Sequence, residues 1–146
     1  MAPIRDLLAL LDDRLLVDAV FGDHPANDPS VRPIEIFTAH GCGVLALALA
    51  SLTGRPINVL YHAGEPLHAA LSTGDRLLDA DGLHTPDALR RAWASITDAP
   101  LSRIELRPYD GEAEAWYAAS IASGEVERLA TRIAAGAPAL VAALRA

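Results

Sequence analysis

The chain contains no lysine and no glutamine, and only one cysteine, Cys42. Without lysine there is no Schiff-base chemistry, no attachment of pyridoxal phosphate and no phosphate-loop lysine. One cysteine excludes an internal disulfide and any zinc site built from several thiolates. All twelve basic residues are arginine, and the nineteen acids leave a net charge of -7. That balance disfavours a nucleic-acid backbone as partner, because such binding rests on clustered cations. The uninterrupted apolar run Val44–Ala50 is far shorter than the roughly 20 residues that span a bilayer. The first helix-like segment carries Arg5, Asp6, Asp12 and Asp13 among its leucines, unlike the apolar stretch of a secretory signal. The expectation is a cytoplasmic protein with no membrane contact; delivery by a signal-independent route is the alternative.

What is present is an apolar content of 51% against 21% charged residues in 146, enough for one domain with a sizeable core. The expected fold class is α+β, with one domain over 1–146. Leu7, Leu8, Leu11, Leu15 and Ala19 recur at helical spacing and predict an N-terminal helix over about 4–21. Gly22, Pro25, Pro29 and Pro33 mark a loop, after which Ile34–Phe37 reads as a short strand. Gly41-Cys42-Gly43 opens a helix that is apolar on nearly every side and closes at Gly54. Strands are predicted at Ile57–Tyr61, Leu67–Ser72 and Arg76–Ala80, and Gly74-Asp75 suits a tight turn between the last two. Thr85-Pro86-Asp87 begins another helix, Ser102–Arg107 alternates like a strand, and the rest of 86–146 reads as helical.

Two features carry chemistry. A thiol at the start of a helix meets backbone N–H groups and the positive end of the dipole, which favours the thiolate. The alternative is that Cys42 is a small buried apolar group. The second feature is the hairpin. With Gly74-Asp75 as a two-residue loop, His68, Asp79 and Asp81 share one face, and Asp79 is a diagonal neighbour within reach of the imidazole. A carboxylate that fixes an imidazole gives a general base of set tautomer. The alternative is an ordinary strand histidine beside a turn.

In sequence order, Gly41-Cys42-Gly43-Val44-Leu45-Ala46, Pro66-Leu67-His68-Ala69 and Leu77-Leu78-Asp79-Ala80-Asp81-Gly82 resemble the papain-like and transglutaminase-like cysteine enzyme superfamily. The resemblance spans residues 34–84. It implies a minimal papain-like core, in which a buried helix led by the cysteine packs on a small antiparallel sheet with flanking helices. It also implies a catalytic triad: Cys42 as nucleophile, His68 as base and Asp79 as orienter. The implied activity is hydrolysis of an amide or thioester through an acyl-cysteine, as a peptidase acting on a protein or peptide. A deamidase or a transglutaminase-like acyltransferase is the alternative within the class, and a non-catalytic protein-binding domain of that fold is the alternative outside it. Such peptidases commonly carry a glutamine upstream of the cysteine as oxyanion donor, and this chain has none. The Cys42 N–H supplies one donor; Thr38, His40 and Asn27 are candidates for the second, with Gly41 and Gly43 shaping the site. No cofactor and no metal are expected. His62, His68, His84 and Asp79 have the right chemistry for zinc but match no ligand spacing.

Overall fold

The computed structural model describes residues 2–146. The predicted N-terminal helix is two: α1 (Ala2–Leu11) and α2 (Arg14–Phe21). The break falls at the Asp12-Asp13 pair, where short polar side chains compete with the helix backbone. Asp13 caps α2 by accepting from the Leu15 N–H at 2.9 Å. Asp12 turns outward to accept from Arg32 and from the Ile34 N–H.

Residues 34–37 are not a strand. They lie in α3 (Pro33–Thr38). Pro33 presets the first helical turn, and Glu35 reaches back to accept from the Arg32 N–H at 2.9 Å. Ile36 and Phe37 drop into the core, so burial overrides their strand preference.

Helix α4 (Cys42–Thr53) then runs through the middle of the molecule, with nearly every side chain of its first two turns buried. It ends at Gly54, whose left-handed backbone lets its N–H bond to Ala50 O. Five antiparallel strands follow: β1 (Ile57–His62), β2 (Glu65–Ser72), β3 (Leu77–Asp79), β4 (Gly82–His84) and β5 (Ile104–Pro108), in the spatial order β4-β3-β2-β1-β5. The β2–β3 register pairs Leu71 with Leu78 and Ser72 with Leu77, as a two-residue Gly74-Asp75 loop requires. Between them β1 and β2 slip by one residue: Leu60 pairs with His68 and Tyr61 with Pro66, so Leu67 is the extra residue of a bulge. A proline that cannot donate to a ladder fits such a break.

Helix α5 (Pro86–Thr97) covers one face of the sheet, packing Leu89 and Ala94 against Leu60, Ala70, Leu77 and Ile104. The other face meets α4, which also packs against α7 (Glu125–Gly136) and α8 (Pro138–Arg145). Helix α6 (Gly111–Ala118) lies between β5 and α7 in sequence and lays Tyr117 over the start of α4. The architecture is therefore α+β, with helices packed on a small antiparallel sheet and the cysteine-bearing helix in contact with that sheet. Among the described residues no helix is long and apolar enough to cross a membrane.

Candidate functional site

Asp79 ends β3 almost fully enclosed, at 3% exposure, and its carboxylate accepts three hydrogen bonds. His68 Nε2–H donates to Oδ2 at 2.7 Å. His84 Nε2–H donates to Oδ1 at 2.8 Å, and the Asp81 N–H donates to the same oxygen at 2.8 Å. Burial pushes this carboxyl up, but the His68 and His84 contacts outweigh it and hold Asp79 below its ordinary value. Asp81 stays exposed and contributes only its backbone. His84 faces Asp79 because it pairs with Leu77, which has the same strand parity as Asp79. That parity was available in the sequence once Ala80-Asp81 is read as a second two-residue turn.

The His68 ring is also stacked on Trp93 of α5, with ring centroids 4.8 Å apart. Burial opposes charging the ring. The bond to Asp79 and the neighbouring Cys42 thiol favour it more strongly, and the pKa is pushed up to about 9. Cys42 shifts in the complementary direction: burial pushes the thiol up, and His68 pulls it further down, below its usual range. The charged form of each group is therefore favoured by the other.

The geometry does not close the expected triad. No hydrogen bond joins Cys42 to a histidine or an aspartate among the described residues, and the outer nitrogen of His68, Nδ1, has no hydrogen-bond partner. The polar contacts instead link His68, His84 and Asp79 to one another, with the histidine held between a carboxylate and an indole.

No family model, curated protein or solved structure matches the chain. The papain-like and transglutaminase-like assignment is therefore withdrawn. With it go the acyl-cysteine hydrolase, the peptidase, the deamidase and the acyltransferase. The three motifs that carried the resemblance are short, and their order along the chain follows from a helix packed on a hairpin.

The remaining sequence candidates fall into two groups. Asn27 is consumed by its own loop: its amide nitrogen donates to Asp18 and Gly22, and its oxygen accepts from Arg14. The Thr38 hydroxyl donates to Glu35 O at 2.9 Å. The space beside Gly41 is filled by Phe21 and Phe37, and that beside Gly43 by the Tyr117 ring. His40 is exposed and stands with Cys42 at the wall of a cleft of about 360 Å³. Among the described residues no group of three or more His, Cys, Asp or Glu side chains is arranged to hold a metal ion, and Asp79, His68 and His84 spend their facing atoms on one another.

That cleft runs between the loop 22–32 and α6. His24 bridges its rim. The Ala26 N–H donates to Nδ1, which leaves Nε2–H to donate to Ser120 O at 3.1 Å. Trp116 forms the far wall at 47% exposure, and Tyr117 lies beneath it. A second depression continues through Pro25, Ala26, Ala39 and His40 to Asp28 and Glu35. A third continues past Trp116 and Ser120 to Glu112. Trp116 and Tyr117 lie in the part of 86–146 that reads as helical from sequence, which does not show which side of α6 meets the loop.

Proposed function

We propose that the chain is a peptide-binding module, whose groove takes a short extended segment bearing basic residues. One observation carries this reading: the three depressions share lining residues and so form one continuous groove, floored at its centre by Cys42 and Tyr117. Its walls mix polar and apolar surface, becoming mostly apolar past Trp116, whose indole is the kind of half-exposed aromatic that anchors a side chain. Both ends are acidic, at Asp28 and Glu35 on one side and Glu112 on the other, and no arginine lines any of the three depressions. Charge complementarity thus favours a cationic segment with an apolar centre. The groove supports this partner without reference to any family.

The test is selection of displayed random peptides on the immobilised chain, followed by titration of the enriched sequences. Arginine- or lysine-bearing peptides with a central apolar residue should emerge. Trp116→Ala should weaken them by about tenfold or more, and Glu35→Gln and Glu112→Gln should weaken them less and chiefly at low salt. No enrichment, or equal binding by wild type and Trp116→Ala, would overturn the reading.

A further inference from the structure

Two polar groups, Cys42 and Tyr117, share the floor of the groove without a hydrogen bond between them. Cys42 lines the cleft yet is only 4% exposed, so a small reagent can reach the sulfur more readily than a bulky one. Tyr117 lines the same cleft, and its hydroxyl is buried and has no hydrogen-bond partner. His68 Nδ1 is buried and equally unpartnered. A buried donor left unpaired costs free energy, so the Tyr117 hydroxyl next to Cys42 in one cleft marks a place where a further acceptor atom would be stabilised.

We propose that Cys42 is a peroxide-modification site, at which one oxygen is added to the sulfur and held by the Tyr117 hydroxyl. The Cys42 thiolate attacks one oxygen of hydrogen peroxide. The S–O bond forms as the O–O bond breaks; sulfur is oxidised by two electrons and the peroxide is reduced. The departing hydroxide takes the proton from His68 Nδ1 and leaves as water. The sulfenic oxygen then accepts from Tyr117 Oη–H. The lowered thiol and raised imidazole favour the required protonation state. Cys42 is the one cysteine of the chain, so no internal thiol condenses with the product. The proposal is independent of peptide binding, and its test needs no peptide.

The experiment treats the full chain with hydrogen peroxide, traps sulfenic acid with dimedone and maps the adduct by mass spectrometry. A dimedone adduct on Cys42, formed about tenfold faster than on free cysteine at neutral pH, is the expected result. Tyr117→Phe keeps the ring and removes the hydroxyl, and should shift the product toward sulfinic acid because the sulfenic oxygen loses its donor. His68→Asn should slow the first step about tenfold. Cys42→Ser should give no adduct. The proposal is overturned if wild type gives no adduct on Cys42, if Cys42 reacts no faster than free cysteine, or if Tyr117→Phe and His68→Asn both behave as wild type.

Discussion

The two faces of the sheet are built on opposite principles. Toward α4, Val59, Tyr61, Ala69, Leu71 and Leu78 join an aliphatic core that extends to α1, α2, α7 and α8. Toward α5, Leu60, Ala70 and Leu77 share their side of the sheet with Asp79, two histidines and Trp93. The first face is held by area removed from water, which is non-directional and forgiving of shape. The second depends on three particular side chains, since an enclosed carboxylate is tolerated only while its partners donate to it. Damage to the two faces should therefore differ in how it responds to pH.

Asp79→Ala should have the largest effect, about 3–5 kcal/mol in urea unfolding at neutral pH, because it leaves two inward-facing histidines without their acceptor. Asp79→Asn should cost less, since the amide oxygen can still accept one bond. Leu71→Ala on the same sheet should cost about 2–5 kcal/mol through the cavity it leaves. The contrast lies in pH. The folded-state pKa of Asp79 is depressed, so its contribution is fully present above the ordinary carboxylate value and is lost as pH falls through the depressed one. The Asp79→Ala penalty should shrink in acid while the Leu71→Ala penalty stays constant. Equal pH dependence for the two would remove the distinction between the faces.

A smaller effect tests how tightly α6 is seated on α4. A Cβ at Gly43 would lie 2.6 Å from Tyr117 Cδ1, closer than side chains tolerate, so Gly43→Ala should cost about 1–3 kcal/mol. The clash is with the ring, not the hydroxyl. Tyr117→Phe should leave the penalty unchanged, whereas Tyr117→Ala should relieve part of it in the double variant. Additive penalties would mean that α6 yields as a whole.

The sequence made the hairpin legible because strand alternation and a two-residue loop leave few choices. His68 and Asp79 meet as that register requires, and the buried character of α4 was plain from its unbroken apolar run. The reading failed where local rules competed. Ile34–Phe37 has strand-forming residues, but Pro33 and Glu35 set a helix start. Leu7 to Ala19 keeps one periodicity across two helices, because the Asp12-Asp13 break preserves the apolar side. Gly41 and Gly43, expected to shape a site around the sulfur, in the fold admit Phe21, Phe37 and Tyr117. The larger error was to treat a cysteine, a histidine and an aspartate in the right order as a closed triad. Order along the chain does not fix a hydrogen bond between elements that meet only in the fold, and the Trp93 stack on His68 had no signal in the local pattern.

The smallest expected effect concerns the coupling between Cys42 and the polar face. The folded pKa of His68 is raised from 6.5 to about 9, so between those values the native state holds a proton that the unfolded chain has released. That contribution is complete below 6.5 and is lost as pH rises toward 9. Cys42 has the opposite sign. Its folded pKa lies below the unfolded value of 9.0, so in the upper part of the same window the unfolded chain holds a proton that the native state has released, and stability gains with pH. The two slopes partly offset each other in the wild type, whose unfolding free energy should be flatter between pH 6.5 and 9 than the His68 shift alone would give. Cys42→Ala removes one slope and keeps Asp79 as the partner of His68. Its stability should fall across that window by about 1–2 kcal/mol relative to wild type, less than the full His68 shift implies at 1.36 kcal/mol per unit because the thiolate no longer contributes to it. Urea melts of both proteins at half-unit steps measure this directly, and the Cys42→Ala, His68→Asn double variant should flatten the profile. A flat profile for Cys42→Ala alone would show that the raised pKa of His68 depends on the thiolate, and that Asp79 by itself does not hold the ring charged.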